Sequence, residues 1–167
     1  MHNVVISTAA DAAYQEGFST LRFNFRGVGR SRGSYSEGVG EREDAKAAID
    51  YLFSALGHSD ASLILLGYSF GGWAALPVGI QDNRIKGMVA IAPPLGLYDF
   101  SFLEGSKKIK LLVAGDQDFF CPKTLLESWF ERLEEPKSLV IIEGADHFFF
   151  AHHRLLIEPL REFFKSA

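Results

Sequence analysis

The sequence predicts an α/β fold, an open, mostly parallel sheet with helices on both faces. Three observations carry this expectation. Five short segments rich in Leu, Ile, Val and Phe recur at 18–25, 62–67, 85–92, 109–115 and 138–142, and four of them are nearly continuously apolar, as strands buried on both faces are. Most of the gaps between them carry apolar residues at helical spacing. Helices and strands alternating in this way form parallel strands joined by right-handed crossovers, and function then gathers at the carboxyl ends of the strands.

Each element has its own signal. Residues 2–16 read as an opening helix that ends at Gly17, and 18–25 (FSTLRFNF) as the first strand. Residues 41–56 put Ala45, Ala48, Ile49, Leu52 and Leu56 on one helical face, after an acidic start (Glu41, Glu43, Asp44) that suits the positive end of a helix dipole. After the strand at 62–67 (SLILLG), the segment 70–81 is helical by position, and Pro77 and Gly79 predict that it is short or kinked. The strand at 85–92 is followed by 93–108, aromatic but aperiodic and the weakest helical segment. Beyond the strand at 109–115, residues 124–133 space Leu126, Trp129, Phe130 and Leu133 as a helix just after Pro122. A last strand at 138–142 precedes a closing helix over 153–165, whose final part Pro159 starts or bends.

Composition bounds the function. A chain of 167 residues, 47% hydrophobic and 23% charged, suits one domain with one good core, and no repeat, low-complexity tract or linker interrupts it. With 17 basic against 21 acidic residues the net charge is −4, and no basic block is longer than 107–110, which argues against nucleic acid as a partner. A lone cysteine, Cys121, excludes an internal disulfide framework and fits a reducing compartment. No apolar run approaches the ~18 residues of a membrane span, and the first twenty residues carry Asp11 and Glu16 without a basic leader. These features predict a cytoplasmic protein with no membrane partner.

The chemistry concentrates at strand ends. At the end of the second strand stands Gly67-Tyr68-Ser69-Phe70-Gly71, a G-x-S-x-G between strand and helix. This spacing holds a serine on a sharp, strained turn, where a side chain at either glycine is expected to collide with its neighbours. Such a serine needs a base, and the base needs an acid, both from later strand ends in the order acid then histidine. Of the five histidines (2, 58, 147, 152 and 153) only His147 lies just past a strand end, so it is the base candidate. In Gly115-Asp116-Gln117-Asp118, Asp118 lies farther out in its loop and is the better acid; Asp116 is the fallback, or a residue that bonds turn N–H groups. Asp146 is poorly placed to reach the far side of its own neighbour's ring.

Plainer roles exist for each feature, since a serine in a glycine turn commonly caps a helix and G-D-x-D is commonly a polar loop. Their occurrence in order, each at a strand end, favours the triad. Other signals are declined. Arg26 to Gly33 has the wrong glycine spacing for a dinucleotide loop and runs into more loop, and no P-loop occurs. Cys121 reads as a small buried loop residue, His152 and His153 lack a second metal-binding cluster, and Phe148-Phe149-Phe150 reads as core packing behind His147. No cofactor is expected. The 16 residues at 93–108 are too few for a lid, and some of Leu95, Leu97, Tyr98, Phe100, Phe102 and Leu103 are expected to wall an open, shallow apolar pocket.

Over essentially its whole length the chain resembles the α/β-hydrolase superfamily, through LRFNFRGVGRSRG (21–33), GEREDAKAAIDYL (40–52), GYSFGG (67–72), GDQDFFCP (115–122) and GADHFF (144–149). It is most similar to a small lidless bacterial branch related to dienelactone hydrolases and esterases. The resemblance implies Ser69 as nucleophile, Asp118 as acid, His147 as base and the Phe70 N–H as one oxyanion donor. It also implies about three further strands ahead of the first helix, and a loop there that supplies the second oxyanion donor. Read this way the chain is N-terminally truncated, lacking the strand that lies between 18–25 and 62–67 in relatives. Three outcomes are then open: the start is misassigned, the two strands pair directly, or another molecule, a second copy included, fills the gap through the exposed edges.

The function expected is a serine hydrolase acting on small carboxylic esters or thioesters through an acyl-enzyme. Its rivals are an acyltransferase or peptidase on the same triad, and a non-catalytic or weakly active protein of the same fold.

Overall fold

The computed structural model describes residues 2–57 and 61–166; His58, one of the five histidines, lies outside them. Helix α1 spans Val4–Gln15, α2 Val39–Leu56, α3 Phe70–Gln81, α4 Lys123–Arg132 and α5 Ile157–Ser166. Strands β1 (Leu63–Tyr68), β2 (Ile85–Ile91), β3 (Ile109–Gly115) and β4 (Lys137–Ile142) form one parallel sheet in the order β1-β2-β3-β4. Strands in sequence order, each joined to the next by a crossover, bring all their carboxyl ends to one rim.

The side-chain alternation of the strands separates two apolar layers. Val89, Ile91, Leu111 and Val113 pack with α1 and α5 through Val5, Ala9, Leu160 and Phe163. Met88, Ala90, Leu112 and Ala114 face the other way, onto Ile49 of α2, Leu76 of α3 and Leu126 and Trp129 of α4. Helices therefore cover both faces, and the near-continuous apolar runs of β2 and β3 are explained by burial on both sides.

Three expectations need correction. The segment 18–25 is not a strand. No backbone hydrogen bond joins it to β1 among the described residues, so its apolar pattern has no ladder to enter. Between 18–25 and β1 lies a groove of about 560 Å³, walled by Leu21, Phe23 and Phe25 on one side and by Leu63, Leu65 and Gly67 on the other. Second, 93–108 contains only a 3₁₀ turn at Ser101–Leu103, and its aromatic residues, with no helical period, serve as separate anchors. Third, α3 is not shortened by Pro77 but runs its full 12 residues.

The N-terminal part is fastened by charge. The Arg26 guanidinium donates to both carboxylate oxygens of Asp44 on α2, and the Arg26 N–H donates to Asp44 Oδ2 at 2.8 Å. Buried Glu41 accepts from the N–H groups of Ser36 and Gly38, so two of the acidic residues at the start of α2 serve as specific acceptors beyond any dipole effect.

Candidate active site

Ser69 follows β1 and stands at the N-cap of α3 with φ 53° and ψ −129°, a left-handed conformation that costs a non-glycine residue energy and marks functional turns. The turn is possible because Gly67 has no side chain. A Cβ there would stand 2.3 Å from the Gly72 Cα, and one on Gly72 would stand 3.3 Å from the Gly67 carbonyl oxygen. Gly71, expected to be equally constrained, is not: a Cβ there would meet only the Phe25 ring, at 3.7 Å. Close packing thus falls on Gly67 and Gly72. Phe70 is the first residue of α3, so its N–H is one of the four donors that a helix start leaves without an intrahelical partner.

The loops after β3 and β4 bring the two other predicted side chains to this serine. Ser69 Oγ lies 2.8 Å from His147 Nε2, and His147 Nδ1 lies 2.8 Å from Asp118 Oδ2. In the tautomer whose Nδ1–H donates to the Asp118 carboxylate, the Nε2 lone pair faces the Ser69 hydroxyl. Asp118 and His147 are buried, and the other Asp118 oxygen accepts from the N–H groups of Phe120 (2.8 Å) and Cys121 (3.0 Å). Asp118 is thereby fixed in place before it meets the imidazole.

Asp116 does not touch His147. Its Oδ1 accepts from the Gly144 N–H at 2.7 Å, tying the acid loop to the base loop. Asp146 Oδ1 accepts from the N–H groups of Phe148 and Phe150 and so shapes the base loop from within. Tyr68, beside the serine, donates its hydroxyl to the His147 carbonyl at 3.0 Å. Burial, with the charges of Asp118 and Asp146, pushes that phenol up to about 12, so it stays a donor. Sequence reading missed this residue, since a tyrosine inside the elbow motif gives no sign of a contact 79 positions away. Cys121 is buried as expected, and burial and the Asp118 charge push its thiol up to about 12, which makes it inert.

The phenylalanine run departs from expectation. Phe149 is fully buried with φ 54°, but Phe148 and Phe150 are 50% and 72% exposed. Only the middle ring is core. On the other side of the serine, Phe25, Tyr35, Trp73 and Tyr98 pack around Phe70, with Trp73 stacked on Tyr98 at 4.5 Å. From the 93–108 stretch, Tyr98 thus walls the region beside Ser69, while Phe100 and Leu103 belong to the core.

Comparison with known proteins agrees with this architecture. Residues 1–110 match the family described as serine aminopeptidase, S33, a match that includes Ser69 and ends before Asp118 and His147. An uncharacterized protein of Rickettsia prowazekii is 38% identical over 157 residues, covering 89% of this chain; the chain spans 66% of that protein's length. An alpha-beta serine hydrolase homologue from Coxiella burnetii superposes with a TM-score of 0.89 at 35% identity, over 98% of this chain and 77% of that one. A serine hydrolase without a lid from Xanthomonas campestris gives 0.88 at 32%, over 99% and 74%. Among the described residues no helix is long and apolar enough to cross a membrane. The chain belongs to the serine aminopeptidase S33 family of the α/β-hydrolase superfamily.

Proposed function

We propose that this protein is a cytoplasmic serine hydrolase that cleaves carboxylic esters or thioesters through an acyl-enzyme on Ser69. The observation that carries this reading is the relay from Ser69 Oγ to His147 Nε2 and from His147 Nδ1 to Asp118, each step 2.8 Å, at the head of α3. In the first half-reaction Ser69 Oγ bonds the acyl carbon while His147 takes the hydroxyl proton. His147 then gives that proton to the leaving oxygen or sulfur as its bond to the acyl carbon breaks. Water repeats the steps in reverse, releasing the acid and returning the proton to Ser69. Asp118 holds the imidazole in the competent tautomer and stabilises its charged form, and the Phe70 N–H faces the developing oxyanion. Nothing in these steps calls for a metal or organic cofactor.

The test is covalent and kinetic together. A fluorophosphonate should label Ser69, located by mass spectrometry, and Ser69→Ala should abolish labelling and lower p-nitrophenyl butyrate turnover by about a millionfold. A label on another serine, or undiminished turnover in Ser69→Ala, overturns the reading. Alanine p-nitroanilide run beside the ester separates it from a peptidase, and added alcohol acceptors separate it from an acyltransferase.

A further inference from the structure

The loops that carry the acid and the base each hold phenylalanine rings out in water. Phe119 is 86% exposed, Phe148 50% and Phe150 72%. Two of these exposures are built into the loop around His147. Asp146 binds the N–H groups of Phe148 and Phe150, while Asp118 fixes the backbone of Phe120, next to Phe119. The left-handed Phe149 between the last two turns its own ring into the core and leaves its neighbours outside. A bulky residue in that conformation is strained, so the loop spends stability to present these rings.

Two rings of these loops pack on the imidazole. Phe120 lies 4.9 Å and Phe148 5.3 Å from its centroid, at interplanar angles of 67° and 88°, and Phe119 and Phe150 pack in turn on Phe120 and Phe148 at 5.8 and 5.6 Å. The direction of proton transfer gives this placement a meaning. His147 delivers its proton to the leaving atom, so the leaving group lies on the histidine side of the acyl carbon, and the carbonyl oxygen lies on the Phe70 N–H side. Charge narrows the chemistry further. The segments 115–122 and 143–151 carry Asp116, Asp118, Glu143 and Asp146 and no lysine or arginine, a field that disfavours an anionic leaving group.

We propose that Phe119, Phe148 and Phe150, with Phe120 behind them, form the leaving-group subsite, and that the substrates are esters or thioesters of bulky, uncharged, apolar alcohols or thiols. This rests on the hydrolase reading above. In the acylation step the Ser69 Oγ–acyl bond forms, the bond from acyl carbon to leaving atom breaks, and the apolar alcohol departs past these rings carrying the proton from His147 Nε2.

Two ester series test it. In one, butyrate is esterified to ethanol or to hexanol; in the other, ethanol is esterified with acetate or with hexanoate. The wild type should favour hexyl over ethyl butyrate in kcat/KM by about tenfold or more, a fraction of what four buried methylenes can supply. Phe148→Ser and the combined Phe119→Ser/Phe148→Ser/Phe150→Ser variant should bring that ratio towards one, mainly through KM for hexyl butyrate, and leave the hexanoate-to-acetate ratio where it was. Tyr51→Ser, at an exposed ring of α2 that contacts none of Phe119, Phe120, Phe148 and Phe150, is the control for loss of any exposed ring and should move neither ratio. The single variant Phe119→Ser, at a ring that is almost wholly exposed, keeps the test available if the triple variant does not fold. A fall in the acyl ratio instead, or no movement of the alcohol ratio, overturns the proposal. So does a change confined to oligomeric state by sedimentation, which would make the rings an interface between copies. If wild type turns over neither series and Ser69 takes no fluorophosphonate, the hydrolase reading itself fails; if Ser69 is labelled and ethyl butyrate is cleaved with no preference for hexyl, only the subsite fails.

Discussion

On one side of β1 the ladder to β2 runs from Leu63 to Tyr68 and continues through β3 to β4, and Ser69, Asp118 and His147 all stand on loops that this ladder aligns. On the other side, 18–25 faces β1 across an open groove with no ladder between them. The contrast separates two requirements that fold descriptions tend to merge. Bringing serine, histidine and acid together needs only the paired side, because each comes from the carboxyl end of a strand within it. Sheet closure on the far side adds nothing to that relay. It bears instead on Phe25, which packs against Phe70 at 5.9 Å, and so on the surroundings of the proposed oxyanion donor.

The largest test of this separation lies within the paired side. Asp118→Asn should lower kcat by about ten-thousandfold, because an amide favours the wrong imidazole tautomer and cannot stabilise the charged ring. Asp116→Asn should cost less than about tenfold, since an amide oxygen still accepts from the Gly144 N–H. Steady-state kinetics on one ester decides it, and the reverse order would make Asp116 the acid and Asp118 a loop brace.

A second test compares two glycines of one motif, one facing packed backbone and one facing the open side. Gly67→Ala drives a methyl group against the backbone of Gly72 and should cost about 3 kcal/mol or more in denaturant unfolding. Gly71→Ala meets only the Phe25 ring at ordinary contact distance inside a helix, and should be neutral or stabilising by about 0.5 kcal/mol. Equal losses would mean that the groove side is as tightly packed as the other.

What the sequence made legible follows the same boundary. Strands β2 and β3 were readable because burial on both faces leaves a nearly unbroken apolar run, β1 and β4 because their half-buried residues are nearly as apolar, and Ser69, Asp118 and His147 because each lies on the turn or loop that follows such a run. The 18–25 segment carries the same composition, but a strand exists only with a bonded neighbour, and composition does not report a neighbour's absence. The run at 148–150 misled for a related reason. Three phenylalanines read alike, while a single left-handed residue sends one ring inward and two outward. Tyr68 and Asp146 act through contacts to backbone groups, which leave no pattern in side-chain spacing.

On the open side, the edge of β1, which has no ladder partner among the described residues, and the partly exposed Leu21 and Phe23 are expected to favour association with a second copy. Phe23 is 37% exposed and lines the groove. Phe23→Lys should lower the concentration-dependent rise in mass seen by light scattering several-fold. It should also leave fluorophosphonate labelling of Ser69 in place, since no member of the relay touches Phe23. A wild type that stays monomeric at all concentrations would show that the groove is self-sufficient.

The smallest effect expected is on acid stability, and it too divides the molecule. In the turn between α3 and β2, the Arg84 guanidinium grips Asp82 and lowers its carboxyl to about 2 from an ordinary value near 3.8. A carboxyl lowered in the folded state binds its proton more readily when unfolded. Its contribution is therefore fully present above about pH 4 and disappears as the pH falls towards 2. Asp82 keeps 15% of its side chain in water and Arg84 27%, so the contribution after solvent screening is about 1 kcal/mol rather than the full value of the shift. Nearer the start of α2, the helix whose Asp50 also meets Arg84 at 2.6 Å, Arg26 holds the Asp44 carboxyl low in the same way, but that pair ties down the segment beside the groove rather than a turn of the sheet. Asp82→Asn should flatten the loss of global unfolding free energy between pH 5 and pH 2.5 by about 1 kcal/mol. Asp44→Asn should act mainly on hydrogen exchange in 26–38, with a smaller change in the global value. If Asp44→Asn changed the global acid dependence as much as Asp82→Asn, the segment beside the groove would unfold as one unit with the sheet, and the two sides of β1 would be a single cooperative structure.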